Sequence, residues 1–247
     1  MSFSIITVTL NSADTLSDTL RSVAKQKNVV VQHIIKDGGS TDGTVCLAKK
    51  REPYVQIIEQ RDTGIYDAMN QGFAHAKNEY VGFLNSDDYL SYDYALNDIQ
   101  ELFVKEESDV VYGDIEIIDQ NKRVIRYWRT GHLTNGRLVG MQIPHPAFFV
   151  RREVLLRLEP PFDPKYKIAS DFKQQIQLIN GMEASVSYLQ KTVVTMRSGG
   201  ASSADLGAII LGWKECMQAY REATNKSGAG FVTSKVIRKV TQFRSRL

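Results

Sequence analysis

The sequence predicts an α/β fold built on a mainly parallel sheet, and three observations carry the prediction. Residues 3–10, 29–36, 55–59 and 80–84 are runs rich in β-branched and aromatic side chains, each bounded by turn-forming residues. The stretches between them place apolar residues at helical spacing, and strand–helix alternation implies parallel strands joined by right-handed crossovers. The first, second and fourth runs end in polar clusters, as does the loop after the third. Ligands of open α/β sheets bind outside the carboxyl ends of the strands, so these clusters mark a crevice.

The first strand closes at the turn Asn11-Ser12, and Leu16, Leu20, Val23 and Ala24 then recur on one helical face, with Asp14 or Ser12 available as cap. The second strand ends at Asp37 and opens into Gly38-Gly39-Ser40-Thr41-Asp42-Gly43-Thr44, followed by a short helix. After the third strand, residues 60–64 form a loop that feeds a helix with Ala68, Met69, Gly72, Phe73 and Ala76 on one side. The fourth strand stops abruptly at Asn85-Ser86-Asp87-Asp88.

Beyond Asp88 a helix carries Leu96, Ile99, Leu102 and Phe103, and residues 110–112 and 115–118 read as a strand pair followed by a strand at 124–128. Residues 130–143 lack a period and contain several Gly and Asn positions, so a mobile loop is expected. His145-Pro146 precedes the apolar run Ala147-Phe148-Phe149-Val150. Asp171 opens a helix with Phe172, Ile176 and Ile179 on one face, residues 186–196 form a further strand, Ser198 to Ser202 a flexible turn, and residues 206–221 a helix.

A chain of 247 residues suffices for one large domain with a substantial core. Its net charge of +3 gives no case for a nucleic-acid partner. The charge is uneven, because residues 231–247 hold Lys235, Arg238, Lys239, Arg244 and Arg246 with no acid, +5 in all, leaving −2 for the rest. Val232, Val236, Val240, Phe243 and Leu247 share a helical face there, so residues 226–247 are read as a basic amphipathic helix. Such a helix packs on its domain or lies on an anionic membrane surface. Cys46 and Cys216 cannot make a disulfide framework or a four-cysteine zinc site, and both are read as reduced core residues of a cytosolic protein. The chain starts directly in a strand pattern with no basic leader, so no signal peptide is expected, and no apolar run reaches the ~20 residues that span a bilayer.

Asp87 and Asp88 are adjacent carboxylates at a strand's carboxyl end, and a divalent cation would relieve their repulsion. They are read as holding Mg2+ or Mn2+ against a nucleotide diphosphate. A rim of acids, glycines and a cation suits a nucleotide: carboxylates for base and ribose, glycines for close backbone approach, the metal for phosphates. Neither Gly-x-Gly-x-x-Gly nor Gly-x-x-x-x-Gly-Lys-Ser/Thr occurs, against a dinucleotide dehydrogenase or a P-loop ATPase.

The segments Asp37-Gly38-Gly39-Ser40-Thr41-Asp42-Gly43-Thr44, Gly64-Ile65-Tyr66-Asp67-Ala68-Met69-Asn70-Gln71-Gly72 and Leu84-Asn85-Ser86-Asp87-Asp88 together resemble family 2 glycosyltransferases, in particular the bacterial exopolysaccharide, colanic-acid-type group. His145-Pro146, Ser170-Asp171 and Gly199-Gly200-Ala201-Ser202 echo the same family, so the resemblance runs from about residue 3 to 203. It implies the GT-A fold, one Rossmann-like mixed sheet with helices on both faces. Residues 1–225 would be that domain, the nucleotide-sugar half at about 1–120 and the acceptor half at about 121–225. Asp37 matches the acid that bonds the nucleotide base, with Thr7 and Asn11 lining the pocket. Arg61, Asp62 and Gly64 fall where the family's next loop meets base, ribose or diphosphate, and His145 is a further candidate substrate contact. Asn85-Ser86-Asp87 occupies the Asp-x-Asp position. Asn85 can bond a ribose hydroxyl but lacks charge, which moves metal ligation to Asp87 or Asp88.

Asp171 matches the family's late acid, the general base, although an acid in a helix's first turn is also favoured by the macrodipole. The implied activity is inverting transfer from a nucleotide-diphosphate sugar to a glycan or lipid-linked saccharide, in the synthesis of a bacterial surface polysaccharide. The implied location is cytoplasmic, peripheral at the inner face of the plasma membrane. Two rivals are a sugar nucleotidyltransferase and a non-catalytic sugar-nucleotide-binding module. The first would normally show a Gly-rich, Arg/Lys-bearing loop after the first strand, which Asn11-Ser12-Ala13-Asp14 is not.

Overall fold

In the computed structural model, which describes residues 2–51, 53–199 and 206–234, the four predicted strands form the parallel half of one mixed sheet. They are β1 (Ser2–Thr9), β2 (Val30–Asp37), β3 (Val55–Glu59) and β4 (Tyr80–Phe83), in the order β3-β2-β1-β4. Helices α1 (Leu16–Ala24), α2 (Thr44–Lys49) and α3 (Ile65–Phe73) are the crossovers. Thr9 pairs with Asp37, Asp37 with Glu59 and Ile6 with Phe83, so the carboxyl ends of all four strands share one rim.

The second half follows as β5 (Tyr89–Leu90), α4 (Ala95–Lys105), β6 (Val110–Ile118), β7 (Val124–Trp128), β8 (Phe148–Arg151), α5 (Arg152–Leu155), α6 (Ser170–Ile176), β9 (Val186–Arg197) and α7 (Leu206–Thr224). The sheet continues from β4 through antiparallel β8 to β6, then β9 and β5, with β7 paired to β6. Alternate residues bury on opposite faces, as the pleat dictates. Ile6, Val8, Val81, Phe83, Val110 and Tyr112 enter one cluster with residues of α3, α6 and α7. Phe3, Ile5, Tyr80 and Val111 enter another with residues of α4.

Several expectations are corrected. Residues 110–118 are one strand, not a pair: Gly113, which looks like a turn, marks a register shift against β9, where a Cβ would stand 2.7 Å from Val193 Cγ2. Neither Asp14 nor Ser12 caps α1 with its side chain; the Ser12 carbonyl instead accepts the Thr15 and Leu16 amides. Residues 130–143 are anchored, because Leu138, Met141 and Ile143 are buried in the core. Cys216 is buried as expected but Cys46 is exposed. Of the predicted tail helix, residues 229–234 are helical, with Phe231 buried against Phe172 and Tyr220. The five basic residues and most of its apolar face lie outside the described residues, as does the turn from Gly200 to Ser202. Among the described residues no helix is long and apolar enough to cross a membrane.

Candidate active site

Side chains from one loop fasten the next along the rim. Asn11, in a left-handed conformation (φ 51°), accepts the Thr41 amide on Oδ1 at 2.9 Å, and its own amide donates to Ser40 Oγ at 2.8 Å. The Ser12 amide donates to Thr44 Oγ1 and the Ala13 amide to Asp42 Oδ2. Ser86, from the loop after β4, donates its hydroxyl to Ser12 Oγ at 2.9 Å. The loops after β1, β2 and β4 are thus one hydrogen-bonded unit. Asp37 is buried at its base, where Oδ2 accepts the Gly39 and Ser40 amides at 2.8 Å and Oδ1 accepts the Ser40 hydroxyl. A carboxylate offers about four acceptor positions, so one remains for a ligand.

Beneath the loop after β3, the fully buried ammonium of Lys36 donates to the carbonyls of Asp37 (3.1 Å) and Gln60 (2.6 Å) and to Asp62 Oδ2 (2.8 Å). Asp62 Oδ1 accepts the Gly64 amide at 3.2 Å. Gly38 makes room for Asp62, since a Cβ there would lie 2.6 Å from Oδ2. Arg61 is exposed at the edge of this loop.

Asp88 is buried, its Oδ2 accepts from the Asn85 side-chain amide at 3.3 Å, and its Oδ1 has no partner among the described residues. Burial, and then the charge of Asp87, push the Asp88 carboxyl well above the usual range. Burial also raises Asp87, against the pull of Arg197 at the end of β9, which is ion-paired with Asp18. Asp87 is the more accessible of the two acids, and the Asp88 backbone is fixed by Thr19 Oγ1 at 2.7 Å from its carbonyl.

Asp171 sits in the first turn of α6, partly exposed. Its Oδ1 is 3.3 Å from the Tyr66 hydroxyl, which also donates to the Ile168 carbonyl at 2.6 Å, and its Oδ2 is 3.4 Å from Gln142 Nε2. Burial and then the Asp171 charge push the Tyr66 phenol up, so it stays protonated and a donor. His145 is buried against Phe83 and Phe162, and neither ring nitrogen is bonded to any of the described residues. Burial lowers its imidazole and Asp171 opposes that shift.

Tyr66 follows Gly64 by two residues, in the first turn of α3, and Phe83 precedes Asn85 by two residues. Through these contacts Asp171 and His145 are joined to the two acidic loops at the rim. Thr7 is a correction: it is fully buried with its hydroxyl 3.0 Å from His33 Nε2, below the rim rather than lining it. Thr9 stands at the strand's end with a buried hydroxyl that has no partner among the described residues, and the sequence assigned it no role. Nor did it assign a role to Lys36 or Gln142, or to Tyr66, which it named only as part of the Gly64–Gly72 motif. Two cavities, about 370 and 640 Å3, lie elsewhere, and none of these acids lines either.

Residues 4–158 match the family model described as Glycosyl transferase family 2. A PGL/p-HBAD biosynthesis glycosyltransferase of Mycobacterium tuberculosis is 32% identical over 206 residues, which cover 81% of this chain and 78% of that one. An uncharacterized glycosyltransferase of Nostoc sp. is 28% identical over 241 residues, 92% of this chain and 74% of the relative. Among solved structures, S. aureus TarS (residues 1–349) in complex with UDP-GlcNAc has a TM-score of 0.71 at 20% identity, covering 100% of this chain and 74% of that one. The mannosyltransferase PcManGT from Pyrobaculum calidifontis in complex with GDP-Man and Mn2+ has a TM-score of 0.68 at 16% identity, covering 96% and 68%. The likeness to these structures shows the GT-A fold.

Proposed function

This chain belongs to glycosyl transferase family 2, and from that premise we propose that it moves a sugar from a nucleotide-diphosphate donor to a glycan acceptor by single displacement, with inversion at the anomeric carbon. The observation that carries the reading is Asp171, a partly exposed carboxylate whose Oδ1 lies 3.3 Å from the hydroxyl of Tyr66, in the first turn of α3 directly after the Asp62–Gly64 loop. Asp171 takes the proton of the attacking acceptor hydroxyl, and Tyr66, whose phenol is pushed up by burial and by the Asp171 charge, orients the carboxylate. The donor's base and ribose fall to Thr9, Asn11, Asp37, Arg61, Asp62, Gly64, Asn85 and Ser86.

The residues present fit a divalent cation: among the described residues Asp88 Oδ1 is an unpartnered buried carboxylate oxygen, and it stands beside the more accessible Asp87. Among the described residues no third His, Cys, Asp or Glu completes a metal-holding group. That composition suits Mg2+ or Mn2+, which commonly takes one or two protein carboxylates and draws its other ligands from substrate phosphates and water. Asp87 would be the direct ligand and Asp88 its buried support. When bound, the cation supplies Lewis-acid stabilisation of the departing diphosphate.

In this reading the acceptor is a glycan or lipid-linked saccharide of a bacterial surface polysaccharide. The enzyme works on the cytoplasmic side, and residues 226–247 draw it to an anionic membrane. UDP-, GDP- and dTDP-sugars, each with and without Mn2+, should be screened for thermal stabilisation of the chain, since a ligand favouring the native state raises the melting temperature. At least one donor should stabilise it in a metal-dependent way and be slowly hydrolysed. A panel in which no nucleotide sugar shifts the transition overturns the reading.

A further inference from the structure

The backbone that presents Asp171 is held by a carboxylate from outside its own segment. Helix α6 begins after Ala169, whose side chain cannot cap it, and no side-chain cap bond forms locally. Glu215, one of the few buried residues of α7, supplies one instead. Its Oε1 accepts the Lys167 amide, and its Oε2 accepts the Ile168 and Ala169 amides, all at 2.8 Å. Three amides ahead of the helix are satisfied by one anion, placed where the helix dipole favours it. From the other side the Tyr66 hydroxyl accepts no such role but donates to the Ile168 carbonyl at 2.6 Å. Ile168 is therefore gripped at both its amide and its carbonyl, three residues before Asp171.

The rest of α7 is seated to serve this contact. Gly212 lets it approach, since a Cβ there would come within 3.2 Å of Ile168 Cγ2. Glu222, two turns further on, accepts from the Tyr166 hydroxyl at 3.1 Å and pairs with Lys173 of α6 at 2.7 Å. Glu215 and Asp171 both lie beyond residue 158, where the family match ends.

We propose that Glu215 is a positioning residue for glycosyl transfer: its carboxylate fixes residues 167–169 so that Asp171 meets the acceptor hydroxyl. The proposal rests on Asp171 being the base. A glutamine at 215 keeps size but offers one acceptor oxygen and an NH2 that faces amide donors, so the clamp loosens without a cavity.

The test compares Glu215→Gln, Glu215→Asp and Asp171→Asn, with whichever nucleotide sugar the donor screen selects and Mn2+. Displacing a reacting group by about 1 Å costs on the order of 100-fold in rate, so Glu215→Gln should lower kcat by about that factor while donor KM stays within roughly two-fold. Amide exchange at residues 167–169 should quicken in the same variant. Glu215→Asp, which keeps the charge on a shorter arm, should fall between the two. If Glu215→Gln does not fold, the Asp variant carries the same comparison. Unchanged kcat in Glu215→Gln with Asp171→Asn inactive overturns the positioning role alone. Equal damage to donor KM and kcat marks general disorder and overturns it as well. Full activity in Asp171→Asn removes the base itself, and this role with it.

Discussion

The ammonium of Lys36 lies 2.8 Å from Asp62 Oδ2, with the lysine side chain fully buried and the aspartate 14% exposed. One ion pair beneath the rim thus sets the loop after β3 against the end of β2, next to Asp37. Removing one member of a buried pair leaves the other uncompensated, which costs about 3–5 kcal/mol. Lys36→Met should accordingly lower the melting temperature, by roughly 6–20 °C for a domain of this size. Adding Asp62→Leu should recover part of the loss. Thermal unfolding of the single and double variants decides this, and a double variant no better than the single refutes the pairing account.

Gly38 offers a milder probe of the same loop. A Cβ at this position would stand 2.6 Å from Asp62 Oδ2, so Gly38→Ala must push Asp62 aside. Backbone freedom is not at stake, only the space. Donor affinity should fall about tenfold, the equivalent of 1.4 kcal/mol, with kcat at saturating donor little changed. A titration showing wild-type donor affinity would mean that Asp62 has no part in the donor site.

The motif-bearing loops were legible in the sequence because each combines a strand end with residues of special chemistry, as Asp37-Gly38-Gly39 and Asn85 to Asp88 do. Depth along a strand was not. Thr7 and Thr9 share a face of β1, but two residues separate them by about 6–7 Å, which puts one under the rim and the other on it. The pairing of Thr9 with Asp37 marks the rim residue, and register is invisible in a single sequence. Lys36 reads as a polar strand end, because its burial depends on the carbonyls of a loop more than 20 residues away. Glu215 escapes for the same reason, since its partners lie 46 to 48 residues upstream.

Asp88 makes a prediction about pH. Its folded-state carboxyl is raised by burial and by Asp87, so the native chain holds that proton more tightly than the unfolded chain. Between the ordinary carboxylate range and the raised value, stability therefore falls as pH rises. In the metal-free protein Asp88→Asn should raise the melting temperature at neutral pH, and the gain should shrink on acidification. Mn2+ should stabilise the wild type more than the variant. Equal melting temperatures of the metal-free proteins at pH 7.5 would contradict the account.

His33 titrates in the opposite sense. Burial lowers its imidazole to about 3, so the native state keeps it neutral while the unfolded chain protonates it near 6.5. The stability it contributes is complete above that value and is lost as pH falls, at about 1.4 kcal/mol per pH unit for one proton. His33→Gln should flatten the decline between pH 6.5 and 3 by about one proton. Denaturant unfolding across that window gives the slopes, and parallel curves would show that His33 does not titrate as described.

Tyr66 and Asp171 separate the base from its orienting group. Asp171→Asn keeps the shape of the side chain but cannot take a proton, so transfer should fall about 10^2–10^4-fold while donor binding stays near wild type. Tyr66→Phe leaves the ring stacked on Phe162, with centroids 5.8 Å apart, and deletes only the hydroxyl shared between the Ile168 carbonyl and Asp171. A hydrogen bond to a charged group is worth about 1.5–3 kcal/mol, and a loosened base retains part of its action, so kcat should drop about tenfold. In the double variant the hydroxyl has no base left to orient, and its removal should add little to the loss already caused by Asp171→Asn. Full multiplication of the two effects would mean that Tyr66 acts elsewhere, for instance on the donor, and the contact between them would then be structural only.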